Sequence, residues 1–202
     1  LIAAACDTRS PTPPSAPVEG EVSGVVQVEG EGIAGLQVSA TGPVTRTATT
    51  DAAGRFRIQG LGEGSYAVGV SGIPDEADFA TSTGSVGITR AQPAASLDFS
   101  GSWKRDVSIA VVARVDGAAF PGAAVNLGGP ETVSGTTDAT GSVRFDGLRR
   151  GRWDVALGGY DPLVYGFDPA AVSVDASGPG LREVAFDGIE LPQVPTPPSG
   201  LV

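Results

Sequence analysis

The chain repeats itself. Residues 32–73 and 119–160 align without a gap at an offset of 87 residues, so that Gly35 falls on Gly122 and Val38 on Val125. Identities continue through Gly42-Pro43 and Gly129-Pro130, the four residues Thr49 to Ala52 and Thr136 to Ala139, then Gly54/Gly141, Gly60-Leu61/Gly147-Leu148, Gly64/Gly151 and Val68/Val155. The shared residues are turn formers and apolar residues at strand spacing. No cluster of reactive side chains is shared. A duplication of this kind constrains the 202-residue chain to two copies of one small fold, each of roughly 85 residues.

The pattern within each copy predicts strands. In the first, Val22, Val25, Val26 and Val28 mark an opening strand, and Leu36, Val38 and Ala40 alternate on one face of the next. Thr45 to Thr50 reads as a Thr-rich strand. Asp51 to Gly54 is a tight turn, in which Asp bonds the backbone two residues on and Gly supplies a positive φ. Phe56 and Ile58 then face inward, Leu61 plugs a glycine-rich loop, and Tyr66, Val68 and Val70 form another strand. Val86/Ile88 and Leu97/Phe99 complete the set. The second copy offers Val111 to Val115, Ala123 to Leu127, Thr132 to Thr136, Val143/Phe145, Trp153/Val155/Leu157, Val172/Val174 and Val184/Phe186. Seven short strands separated by turns describe a Greek-key β-sandwich, so the fold class is all-β, with two tandem Ig-like or prealbumin-like sandwiches. The expected division is 1–20 for an anchor and Pro-rich tether, 21–101 and 102–190 for the sandwiches, and 191–202 for a Pro-rich tail.

Composition narrows the chemistry. With no His, the chain lacks the usual general base near neutral pH and the commonest metal ligand. One Cys forms no intrachain disulfide. The net charge of −10 is spread over both copies, with ten acids against four Arg in 19–100 and twelve acids against eight bases in 101–190. Such a balance disfavours nucleic acid and anionic lipid headgroups, both of which require Lys and Arg. Two carboxylates alone suffice for a glycosidase, but the acids fall in turns and on outward strand positions, so no enzyme and no cofactor are predicted. Acid clusters at Asp75-Glu76-Ala77-Asp78 and around Asp161, Asp168 and Asp175 lack the spacing of a calcium loop.

Thr50, Asp51, Gly54, Phe56, Gly60, Leu61, Gly64 and Tyr66 carry a resemblance. They are similar to the carboxypeptidase regulatory-like domains, prealbumin-like sandwiches whose pattern runs T-D-x-x-G-x-F and then G-L-x-x-G-x-Y. In the second copy Thr137, Asp138, Gly141, Gly147, Leu148 and Gly151 match, with Val143 in place of Phe and Trp153 in place of Tyr. The resemblance implies a fold and little about function, because such modules serve as spacers, adhesion elements and accessory domains. A related group of surface sandwiches carries a Lys–Asn isopeptide bond. That bond needs a Lys in the first strand and an Asn in the last, and here the only Lys is Lys104 and the only Asn is Asn126.

The N-terminal run LIAAAC resembles the end of a bacterial lipoprotein signal peptide, with Cys6 as the residue to be lipidated. Ala3 stands where Leu is usual. The other readings are the outer end of an uncleaved membrane anchor and an ordinary buried Cys. With no Met at its start, the chain is expected to be truncated upstream. Pro11, Pro13, Pro14 and Pro17 favour an extended spacer. Both anchoring readings place the sandwiches outside the cytoplasm, in the periplasm or at the cell surface.

Two features stand apart in the second copy. Arg149, Arg150 and Arg152 form a basic loop at the position of Gly62, Glu63 and Ser65. It reads either as a contact for an acidic partner surface or as a solvated loop balanced by Asp146 and Asp154. Tyr160, Tyr165 and Phe167 crowd one loop, either capping the sandwich end or making an interface patch. Trp103 is placed to wedge between the domains. The expected function is non-enzymatic: an accessory subunit docked on the extracytoplasmic face of a membrane protein complex, whether respiratory, photosynthetic, secretory or transport. Its membrane tie would be the N-terminal lipid or anchor. The rival is a free-standing lipoprotein that stacks carbohydrate on Trp103, Tyr160 and Tyr165, and the third reading is a passive spacer.

Overall fold

The computed structural model describes residues 17–193. Cys6, most of the Pro-rich tether and the tail from residue 194 lie outside them. Among the described residues all regular structure is β. The described residues form two compact units, one built from 17–73 with 79–101, the other from 74–78 with 102–193. Each is a β-sandwich of two sheets.

In the first unit one sheet is centred on β1 (Gly20–Val28), which pairs with β2 (Glu31–Gly32), β5 (Arg55–Leu61), β9 (Ala94–Ser96) and residues 99–101 of β10 (Phe99–Trp103), while most of β7 (Ala77–Phe79) and the last two residues of β10 are assigned to the second unit. The facing sheet runs β4 (Thr45–Thr49), β3 (Gln37–Thr41), β6 (Gly64–Ser71), β8 (Thr83–Ile88). Period-2 alternation sends Val22, Val26, Val38, Ala40, Phe56, Ile58, Tyr66 and Val68 into one core. Val25 instead sits half-buried on the outer side of β1.

The second unit repeats this order. Here β11 (Val107–Val115) pairs with β12 (Ala118–Ala119), β15 (Ser142–Leu148) and β19 (Gly180–Glu190), with β17 (Tyr165–Phe167) at the edge. The other sheet runs β14 (Thr132–Thr136), β13 (Ala124–Gly128), β16 (Gly151–Gly158), β18 (Ala171–Ala176). Its core gathers Ile109, Val111, Val125, Leu127, Phe145, Trp153, Val155 and Phe186. Register repeats too: first and last strands pair in parallel with Val26 opposite Phe99 and Ala113 opposite Phe186.

The residues common to both copies are those the sandwich uses internally. Buried Thr50 accepts the Leu36 N–H at 2.9 Å and donates to the Ile33 carbonyl at 2.7 Å. Thr137 does the same with Ala123 at 3.0 Å and Phe120 at 2.8 Å. Asp51 accepts the N–H groups of Ala53 and Arg55, and Asp138 those of Thr140 and Ser142. Gly64 and Gly151 adopt φ of 149° and 146°, where a side chain would be strained. A Cβ on either would meet the ring of Pro43 at 2.5 Å or of Pro130 at 2.6 Å, so the Gly–Pro pairing is a packing unit kept in both copies.

One difference breaks the symmetry. The last strand is continuous as β19 in the second unit but parts at Leu97-Asp98 in the first, between β9 and β10. There the Val25 N–H donates to the Asp98 carboxylate at 2.8 Å, which takes the role of a strand carbonyl. The Leu97 carbonyl turns toward β1, 1.9 Å from where a Cβ on Gly24 would stand. The second unit has buried Val111 at that position and an unbroken strand.

Candidate functional site

The basic residues of the second copy do not act as one loop. Arg149 and Arg150 lie in the turn between β15 and β16, shaped by Gly147 at φ 67° and Gly151. Arg152 is already in β16, exposed on its outer side and opposite Asp175 of β18 in the ladder.

Arg149 is half-buried. Its guanidinium lies 4.2 Å from the centroid of the Trp103 ring, within cation–π range. Its Nη1 donates to the Pro130 carbonyl at 3.4 Å, while its Nε is buried with no partner. Arg150 forks onto Asp106, with Nε at 2.8 Å and Nη2 at 2.6 Å from the two carboxylate oxygens. Only 15% of the Arg150 side chain is exposed. The guanidinium beside Asp106 holds its carboxyl below the ordinary range. Next to them Arg105 grips Glu131 with contacts of 3.0 and 2.8 Å. Burial pushes the Glu131 carboxyl up, but Arg105 and the Arg149 N–H outweigh it and the net direction is down.

Trp103 closes β10 and is half-buried, with Arg149 over its ring. The aromatic residues pack against each other and against the second core. Tyr160 and Phe167 stand 4.8 Å apart between centroids. Phe120 joins them, 4.9 Å from Tyr165 and 5.5 Å from Phe167. Phe120 escaped the sequence reading. The duplication held the signal, because Phe120 aligns with Ile33, and both supply the carbonyl that buried Thr137 or Thr50 donates to. The loop carrying these rings is folded by Asp161, whose carboxylate accepts the Leu163 N–H at 2.9 Å. Leu163 at the loop tip is 80% exposed, and Ile189 on β19 is 57% exposed.

Several of the acids considered for calcium take part in local hydrogen bonds through a carboxylate or a backbone carbonyl. Asp161 folds its loop, the Asp175 carboxylate accepts the Ser177 N–H, and the carbonyls of Asp75 and Glu76 receive Lys104. Among the described residues no three Cys, Asp or Glu side chains converge as a metal-holding group. Among the described residues no helix is long and apolar enough to cross a membrane. Lys104 donates to a backbone carbonyl, and Asn126 is exposed on β13, so the two are employed on different elements. A groove of about 790 Å³ lies on the first unit where the last strand parts, lined by Ser23, Gly24, Val25, Arg55, Ser96 and Asp98 among others.

Residues 21–100 match the family model of the carboxypeptidase regulatory-like domain. The first sandwich is therefore a domain of that class, followed by a second sandwich of the same strand order. No curated protein sequence matches the chain. Among solved structures, the TIE protein of Bacillus anthracis aligns over 86% of this chain with a TM-score of 0.62 and 16% identity, a likeness of fold. The alignment covers 34% of that protein, so this chain spans about a third of its length. A streptococcal ancillary pilin aligns over 87% of this chain and 63% of its own, at 13% identity and a TM-score of 0.43. The minor pilin GBS52 of Streptococcus agalactiae aligns over 88% and 99%, at 13% identity and 0.42.

Proposed function

We propose that this protein is a non-enzymatic accessory subunit on the extracytoplasmic side of a membrane, tethered through its N-terminal segment at Cys6 and docked on a membrane protein complex. The observation that carries this reading is the use made of the duplicated residues. Thr50/Thr137, Asp51/Asp138 and Gly64/Gly151 are each spent on turns and packing, and no reactive group is held in common. A chain that duplicates its frame and keeps no chemistry offers surfaces. The acidic balance directs that surface toward protein rather than nucleic acid.

The contact area we favour is the exposed set on the second sandwich, Leu163 at the aromatic loop tip and Arg152 on β16. Arg149 and Arg150 support it from within, since their guanidinium groups are engaged by Trp103, Pro130 and Asp106. Carbohydrate stacking is the weaker reading. A sugar needs an open ring face, whereas Arg149 occupies one face of Trp103, and Tyr160 and Tyr165 pack on Phe167 and Phe120.

The test is gentle detergent extraction of native membranes, affinity capture of the chain, and mass spectrometry of whatever accompanies it. A stoichiometric membrane complex is expected, lost in a Leu163→Asp/Arg152→Glu variant that still folds. Recovery of the chain alone, with a lipid-sized mass on Cys6, would overturn docking and turn the search to glycans.

A further inference from the structure

We infer that the four residues Trp103 to Asp106 form a salt-sensitive clasp that fastens the stretch entering the second sandwich, together with residues 74–78, onto that unit's folded body. The four residues lie just before β11 and are held at three places: the turn between β15 and β16, residues 75–76, and the turn between β13 and β14. Trp103 lies under the Arg149 guanidinium at 4.2 Å. Lys104 donates its Nζ to the Asp75 carbonyl at 2.7 Å and its backbone N–H to the Glu76 carbonyl at 2.8 Å. Arg105 donates its Nη1 to both carboxylate oxygens of Glu131 in the turn between β13 and β14, and that same carboxylate accepts the Arg149 N–H at 3.3 Å. Asp106 receives both prongs of Arg150, and its carbonyl accepts the Gly180 N–H at 2.9 Å.

This set is not part of the shared frame. At the same offset the first copy enters its sandwich through Pro17, Val18 and Glu19, which cannot reproduce it. Glu63, aligned with Arg150, instead faces Arg90 at 3.7 Å across largely exposed side chains. Among its described residues the first sandwich shows no counterpart of this set, so the shared frame does not require it. Its chemistry is suited to opening. Several charge-assisted contacts on one surface act as a network, and added salt screens them strongly wherever they meet solvent. The Asp106 side chain is 41% exposed and that of Arg105 is 43% exposed, so ions reach the pairs. The sandwich cores rest on apolar packing and are insensitive to the same treatment. Opening therefore loosens residues 74–78 and 102–106, including the ends of β7 and β10 that fall within them, while the sandwich cores stay folded.

The experiment is amide hydrogen exchange with peptide-level mass spectrometry on the intact protein, at one pH, in 20 mM and in about 1 M NaCl. The expected result is a rise of about tenfold or more in exchange over both 74–78 and 102–106 at high salt, with β11, β13 and β16 unchanged. An Arg150→Gln/Glu131→Gln variant is expected to reach the high-salt rate at low salt, and trypsin to cut it faster after Lys104 and Arg105. Exchange in the two segments that stays within about twofold across salt and in the variant would overturn the clasp. A rise shared by the whole second core would also overturn it, by showing that these contacts belong to global folding.

Discussion

Tyr66 and Trp153 are one position of the duplicated fold, and each reaches back four residues with its polar atom. The Tyr66 hydroxyl donates to the Gly62 carbonyl at 3.2 Å, and the Trp153 indole N–H donates to the Arg149 carbonyl at 3.1 Å. Both rings are fully buried, so the carbonyl of the turn has its partner inside the protein. An exchange of Tyr for Trp keeps the donor at the tip of a flat apolar body. This explains how the second copy departs from the family pattern and keeps the fold.

Tyr66→Phe removes only the donor and is expected to destabilise the first sandwich by about 1 kcal/mol. Trp153→Ala also opens a cavity and is expected to cost the second about 3–5 kcal/mol. Urea unfolding of the whole chain checks both, with exchange mass spectrometry assigning the loss to one sandwich. An unchanged first sandwich in Tyr66→Phe would mean that water serves the Gly62 carbonyl equally well.

Thr137 places one hydroxyl between a donor and an acceptor that no strand satisfies. Thr137→Val keeps the shape and leaves the Ala123 N–H and Phe120 carbonyl without that partner. The expected loss is about 2 kcal/mol, with Thr137→Ser recovering most of it. Thr50→Val should match it within error, since Thr50 makes the same pair of bonds. A large difference between the two would show that the copies have diverged in how they use this residue.

Acid should loosen the second sandwich before the first. Its carboxyls are held below their ordinary values at five positions: Asp106 by Arg150, Glu131 by Arg105 against its burial, Asp138 by the Thr140 hydroxyl, Asp146 by Ser108 and Asp175 by the Ser177 N–H. The first has one such group among its described residues, Glu21, held down by Arg57. A depressed folded-state pKa contributes stability above the unfolded value and loses it as pH falls through the folded one. The loss therefore begins near pH 4 and grows toward pH 2. Trp103 and Trp153 both lie in the second unit, so tryptophan fluorescence against urea at pH 6 and pH 2.5 reports it. Asp138→Asn is expected to be weaker than the parent at pH 6 and equal to it at pH 2.5. Equal acid sensitivity of the two sandwiches would refute this assignment.

The sequence alone determined the two sandwiches, because what specifies them is local. Alternation of Val38 and Ala40 or of Val125 and Leu127 fixes which side faces the core. The Thr-Asp turn and the glycines fix where strands end, and the offset of 87 residues repeats both. The strand order, the register of Val26 with Phe99 and the carboxyl-for-carbonyl exchange at Asp98 came only with the folded chain. So did the fate of the basic residues. Arg150 and Asp106 are 44 residues apart, and Trp103 and Arg149 meet across 46. Reading along the chain, Arg149, Arg150 and Arg152 make one patch. The turn between β15 and β16 sends two of them inward and leaves Arg152 on the outer side of a strand beside Asp175. Strand periodicity is written in neighbouring residues, whereas the partner of a charged side chain depends on which distant backbone the fold brings within about 4 Å of it.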